Sequence, residues 1–142
     1  MGYSLQTGQR PELIDESIYR SRDILRVFRR QIIDDTIAKY SEPCQVGGFR
    51  HFTLYINLLS KGVSTHTIHI EPMFLDPHDS HWHTYKQGLF AALFYEDADC
   101  TTEIHEVFNG DCAGRDMCFR VTGVGVSETY SFTISLSVEF WN

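Results

Sequence analysis

A chain of 142 residues, 42% of them hydrophobic, can bury one core without disulfide or metal staples and is too short for two ordinary domains. Its longest apolar run, residues 89–95, falls far short of the roughly 18 residues a membrane-spanning helix needs, so a soluble protein with no membrane partner is expected. The net charge of −7 is uneven: residues 1–39 hold seven Arg/Lys against six Asp/Glu, residues 40–142 five against thirteen, which argues against a nucleic-acid partner.

Residues 1–11 (MGYSLQTGQRP) are polar and glycine-containing, with Tyr3 and Leu5 as their main apolar groups, and read as an arm. They lack the basic flank and apolar stretch of a secretory signal, and Gln6 stands where a myristoylation signal has Ser or Thr, so no anchor is expected. Between residues 12 and 40 the pattern is ambiguous. Ile14, Ile18, Leu25, Phe28 and Ile32 suit a helical stripe, whereas Val27/Arg29 and Phe28/Arg30 also allow a strand. A short helix over about 13–22 and a strand over about 24–34 are favoured over one long helix. The chain thus divides into an arm at 1–23 and a β-domain at 24–142.

After Gly47-Gly48 the period becomes two. Phe52, Leu54, Ile56 and Leu58 define one face of a strand that ends at the Lys61-Gly62 turn. The next strand puts His66, Ile68, Ile70, Pro72 and Phe74 on one face and Thr67, His69, Glu71 and Met73 on the other, and Pro72, lacking an amide donor, predicts an edge or a bulge. Residues 76–80 (DPHDS) form a turn in which Asp side chains bond nearby amides, and residues 81–86 resume as a strand. The run at 89–95 reads as a fully buried strand or crossover, followed by a solvated acidic loop at 96–99. Residues 101–108 alternate again and are expected to stop at an Asn109-Gly110 turn. Residues 117–122 and 130–140 are the clearest strands, joined through Gly123 and Gly125. About seven or eight short antiparallel strands at this spacing predict an all-β sandwich or jelly roll.

Candidate chemistry is sparse. His81 and His83, two apart, would share a strand face and chelate a metal with help from Asp79 or His69, but no standard ligand spacing completes the set and no metal or other cofactor is expected. His66 and His69 point to opposite faces. No Gly-x-Ser-x-Gly elbow is present, Glu96, Asp97 and Asp99 lack the order of a calcium loop, and Gly123-Val124-Gly125 is no phosphate cradle. No catalytic residue and no enzymatic activity are expected. Cys44, Cys100, Cys112 and Cys118 permit up to two disulfides in three connectivities, with Cys112 and Cys118 able to close a small loop, yet a core of this size does not require one. Trp82 with the pair Phe140-Trp141 would suit sugar stacking, although core packing is the simpler reading for Trp82. Trp141 is hard to bury unless a partner covers it.

Five segments, in order, carry a likeness: residues 46–56 (VGGFRHFTLYI), 76–82 (DPHDSHW), 102–110 (TEIHEVFNG), 118–121 (CFRV) and 128–136 (ETYSFTISL). Together they resemble the β-sandwich virion proteins of tailed phages, the head-auxiliary group of capsid decoration and cement subunits. The likeness spans about residues 44–140. It departs from the group's pattern at Asp79 and Ser80, where Ser and Gly are usual, and at Asn109, which replaces proline. The resemblance implies a non-enzymatic structural protein located in the virion after assembly in the host cytoplasm. Its implied partners are the major capsid protein or other virion subunits and further copies of itself, with a trimer a reasonable form. Tyr3, Leu5, Ile14, Tyr19 and Trp141 are the expected assembly contacts. The alternative is a carbohydrate- or cell-surface-binding sandwich module, resting on the aromatic and acidic groups.

Overall fold

The computed structural model describes residues 23–85 and 93–142, which form an all-β, antiparallel sandwich. In chain order the strands are β1 (Asp23–Ile33), β2 (Lys39–Tyr40), β3 (Cys44–Gln45), β4 (His51–Lys61), β5 (Thr67–Leu75), β6 (Trp82–Thr84), β7 (Leu93–Glu96), β8 (Ile104–Asp111), β9 (Asp116–Val124) and β10 (Ser131–Trp141). One sheet has the order β1-β10-β4-β8. In the other, β9 pairs with β5, β2 and β3 lie beside β9, and β6 and β7 lie beside β5. The expected arm, the short helix at 13–22 and residues 86–92 lie outside the described residues.

Strict alternation builds the core. Phe52, Leu54, Ile56 and Leu58 from β4 and Phe132, Ile134, Leu136, Val138 and Phe140 from β10 are buried on one side, and Ile68, Ile70, Met117, Phe119 and Val121 meet them from the other sheet. The rings of Phe52 and Phe119 meet edge-to-face across the two sheets, centroids 6.0 Å apart. Each such side chain removed from water stabilises the fold by about 1.5–3 kcal/mol. The chain passes from one sheet to the other between β1 and β2, β3 and β4, β4 and β5, β7 and β8, β8 and β9, and β9 and β10, so nearly all pairing is non-local.

The ten strands of the described residues exceed the seven or eight expected, because β2 and β3 are two-residue pairs too short to leave a period in the sequence. The strand expected over 24–34 is β1, and a single long helix through it is excluded. Its helical look has a physical cause. Leu25, Phe28, Gln31 and Ile33, three, three and two residues apart, lie opposite the evenly alternating Val138, Leu136, Ile134 and Phe132, because two bulges each insert a residue. Arg30, at φ 48°, marks the second irregularity.

Three local expectations are corrected. Asn109-Gly110 does not turn: β8 runs through it, Gly110 lies opposite Phe52, and Asn109 accepts a hydrogen bond from the Thr53 hydroxyl at 2.8 Å. Cross-strand pairing outweighs the local turn preference. Pro72 lies within an interior strand with no register shift along β9. Its carbonyl accepts from the Tyr85 amide at 2.9 Å, so its missing donor faces the same flank, between the stretches of β5 that pair with β7 (67–70) and with β6 (73–75). The 96–99 segment is not simply solvated: Asp97–Asp99 form a 3-10 turn in which Asp97 is buried. At 93–96 only Leu93 is buried, while Phe94 is exposed and residues 89–92 lie outside the described set.

The Lys61-Gly62 turn holds as expected. Gly62 has φ 82°, and a Cβ there would sit 2.5 Å from the Thr129 carbonyl oxygen. Replacing Phe119 by Ala is expected to lower unfolding free energy by about 3–5 kcal/mol with an unchanged denaturant slope, measured by urea titration.

Candidate functional site

The 76–83 turn brings together part of the set the sequence singled out for metal binding: Asp79 and His83 gather with Asp76, and without His81 or His69. Asp76 accepts from the His78 amide at 2.8 Å and Asp79 from the His81 amide at 2.9 Å, as turn chemistry predicts. The Asp76 amide donates to the His81 carbonyl at 2.9 Å, which closes the loop and delivers the chain to β6. Ligand atoms of Asp76, Asp79 and His83 then lie within 4.8 Å of one another. His81 stands beside Asp79, Nδ1 to Oδ2 3.4 Å, but is not part of that trio. His69 is remote: it lies on the outer face of β5 against Phe94, ring centroids 4.9 Å apart, while His83 is opposite the inward-facing Phe74. The trio has the donor chemistry for a divalent cation completed by water. Both carboxylates already spend one oxygen on a backbone amide, which accounts for their placement by the turn alone. Beside it, between the end of β5 and the loop before β9, is a cleft of about 370 Å³ that Phe74, Asp76, His83 and Arg115 help to line.

His66 is fully buried, on the face of β5 that it shares with Ile68 and Ile70. One ring nitrogen shares a hydrogen bond with the Ser60 hydroxyl at 3.1 Å and the other with the Ser64 hydroxyl at 2.9 Å. The Ser64 amide donates to Asp97 at 3.2 Å, and the Asp97 amide donates to the His66 carbonyl at 3.0 Å. This network ties the loop after β4 to the 3-10 turn after β7. It resembles a catalytic relay only in composition, since the imidazole lies against Phe132, centroids 4.8 Å apart, inside the core. Asp97 was the partner that sequence reasoning missed, because its contact with Ser64 spans 33 residues.

All four cysteines are free thiols. Burial pushes Cys100, Cys112 and Cys118 up to about 11, with nearby carboxylates adding to the effect at Cys100 and Cys112, and burial raises Cys44 as well. A reactive thiol needs the opposite shift.

The outer face of β4, β8 and β10 carries a set of paired polar side chains. Trp141 donates to the Thr53 hydroxyl at 2.9 Å and its ring stacks on His51 at 4.5 Å, while His51 meets Asp111 at 2.9 Å. Tyr55 donates to Glu139 at 3.0 Å, and His105 bonds Asn57 at 2.8 Å. Trp141 therefore has partners within its own chain. Trp82 is on the other sheet and Phe140 is in the core, so the three aromatic groups do not form one sugar-stacking surface. Tyr3, Leu5, Ile14 and Tyr19 lie outside the described residues. No protein-family profile and no curated protein matches this chain.

Two outcomes follow. Replacing His66 by Ala leaves two hydroxyls without their imidazole partner beside a cavity and is expected to cost about 2–4 kcal/mol, read by urea unfolding. The thiols, protonated in the folded protein above the ordinary value of 9.0, contribute stability that is complete below about pH 9 and is lost as pH rises toward 11. Unfolding midpoints measured from pH 8 to 11 should fall across that window, and a Cys100→Ser/Cys112→Ser/Cys118→Ser variant should show a shallower fall.

Proposed function

We propose that this chain is a non-enzymatic structural subunit of a virion, a head-associated protein of the capsid decoration or cement type, that docks on the major capsid protein or another shell subunit. The observation that carries this reading is the outer face of the β1-β10-β4-β8 sheet. Along its middle strand, β10, run the short side chains of Thr133, Ser135 and Ser137, flanked by exposed Ile32 on β1, Tyr55 and Leu59 on β4 and Val107 on β8. At its centre the face is held by the unbroken ladder of backbone pairs between β10 and β4. A preorganised face loses little entropy on docking against another surface, and a role of this kind needs no reactive group. The five segments of phage-like sequence support the same reading, since they fall in order on the approach to and start of β4, the β5–β6 turn, β8, β9, and the approach to β10 with its first half.

A carbohydrate- or cell-surface-binding role is the second reading, drawn from the indole, imidazole and carboxylate gathered at Trp141, His51 and Asp111. Co-sedimentation with phage heads stripped of the protein separates the two. The wild type should bind, and Leu59→Glu/Val107→Glu should bind at least tenfold more weakly with an unchanged unfolding midpoint. Glycan affinity abolished by Trp141→Ala, with no association to heads, would overturn the structural reading.

A further inference from the structure

The two edges of the four-stranded sheet are chemically opposite. β1 carries Arg26, Arg29 and Arg30, all exposed, along its middle, with carboxylates only at its ends, Asp23 at its start and Asp34-Asp35 just after it. Among the described residues no acidic side chain pairs with any of the three. At the far edge, β8 presents Glu106 and is preceded by Glu103, both exposed. The Tyr95 hydroxyl donates to Glu106 at 2.6 Å, but a neutral phenol does not cancel its charge.

Strand direction adds a second, independent constraint. β1 is antiparallel to β10, β10 to β4 and β4 to β8, so β1 and β8 run in opposite senses. A second copy placed beside the first in the same orientation therefore offers its β8 antiparallel to β1, with no reversal of the molecule. Ile32 and Val107, exposed at 53% and 60%, lie on the same outer face of such a continued sheet. Pairing β1 with β1, or β8 with β8, would set like charges against one another, which is unfavourable in a strand pair.

We infer that the chain associates with itself head-to-tail, the basic β1 edge of one copy against the acidic β8 edge of the next. The mode rests on the reading of the protein as an assembling subunit and specifies one of its partners. A contact between two different surfaces repeats from copy to copy and ends only by closing into a ring. Arg26 stands opposite Ser137 on the outer face and Glu106 opposite Ile56 on the inner face, and the bulges of β1 interrupt its ladder. The seam is therefore held by attraction between the two edges as a whole rather than by cross-strand ion pairs or a long run of backbone bonds. Salt should then weaken it.

Sedimentation velocity of the full chain at about 0.02 M and about 0.5 M salt tests this, because the Debye length falls from roughly 20 Å to under 5 Å between them. The wild type should form oligomers at low salt and dissociate at high salt. Arg26→Glu/Arg29→Glu/Arg30→Glu alone and Glu103→Lys/Glu106→Lys alone should each stay monomeric, associating at least tenfold more weakly. An equimolar mixture of the two should give a 1:1 pair that grows no further, and the chain carrying all five changes should self-associate again. Glu103→Gln/Glu106→Gln, which keeps an acceptor for Tyr95, should weaken association if the lysine version fails to fold. A monomeric wild type at low salt, or single-edge variants that assemble like the wild type, would overturn the seam. Either result would leave docking on phage heads, read by co-sedimentation, to stand or fall separately.

Discussion

The rest of the structure hangs on the ladder between β4 and β10. From Ser131 opposite Lys61 to Trp141 opposite His51 the pairing runs without a register shift, and both strands alternate strictly. A slip of one residue would turn Phe132, Ile134, Leu136, Val138 and Phe140 out to water and bring Ser131, Thr133, Ser135, Ser137 and Glu139 into the core. That cost fixes the register. The bulged β1 is added to one side of this ladder and β8 to the other, and the second sheet closes over its apolar face through contacts such as Phe52 with Phe119. The outer face inherits the same fixed register, and in the proposed function it is this face, with its small hydroxyls and half-covered aromatics, that docks.

Sequence patterning reached as far as period-two alternation lasts. β4, β5, β9 and β10 were legible because one face of each is buried and the other is polar. β1 was legible only as the favoured of two readings, since its two bulges give a strand near-helical spacing, and β2 and β3 are too short to carry any period. The Asn109-Gly110 pair misled for a different reason. Its turn preference is a local free energy, and it was overridden by pairing with β4, including the bond from Thr53. Pro72 misled in a similar way: its missing donor suggested an edge or a bulge, yet it sits in an interior strand, on the flank between the stretches of β5 that pair with β7 and with β6.

The candidate sites divide along the same line. Of the Asp76–Asp79–His83 cluster, Asp79 and His83 were visible in advance because a tight turn keeps them within a few residues, whereas Asp76 joined only through turn geometry and His81 and His69 stayed out. The His66 network and the partners of Trp141 were out of reach, since Asp97 and Thr53 arrive from distant segments. The meaning of the two charged edges was equally hidden. Net charge by segment showed a slightly basic beginning and an acidic remainder, but only the strand order places arginines on one edge of a sheet and glutamates on the other. Charge in this molecule acts through topology.

The central claim is that the protein works by presenting the β1-β10-β4-β8 sheet to its neighbours. Amide hydrogen exchange, compared between the free protein and the protein bound to phage heads, tests it most directly. The account predicts added protection in β1, β8 and the outward-facing segments beside them, with the β5–β9 sheet unchanged. Added protection confined to β5, β6 and β9, with β1 and β8 exchanging as in the free protein, would contradict it.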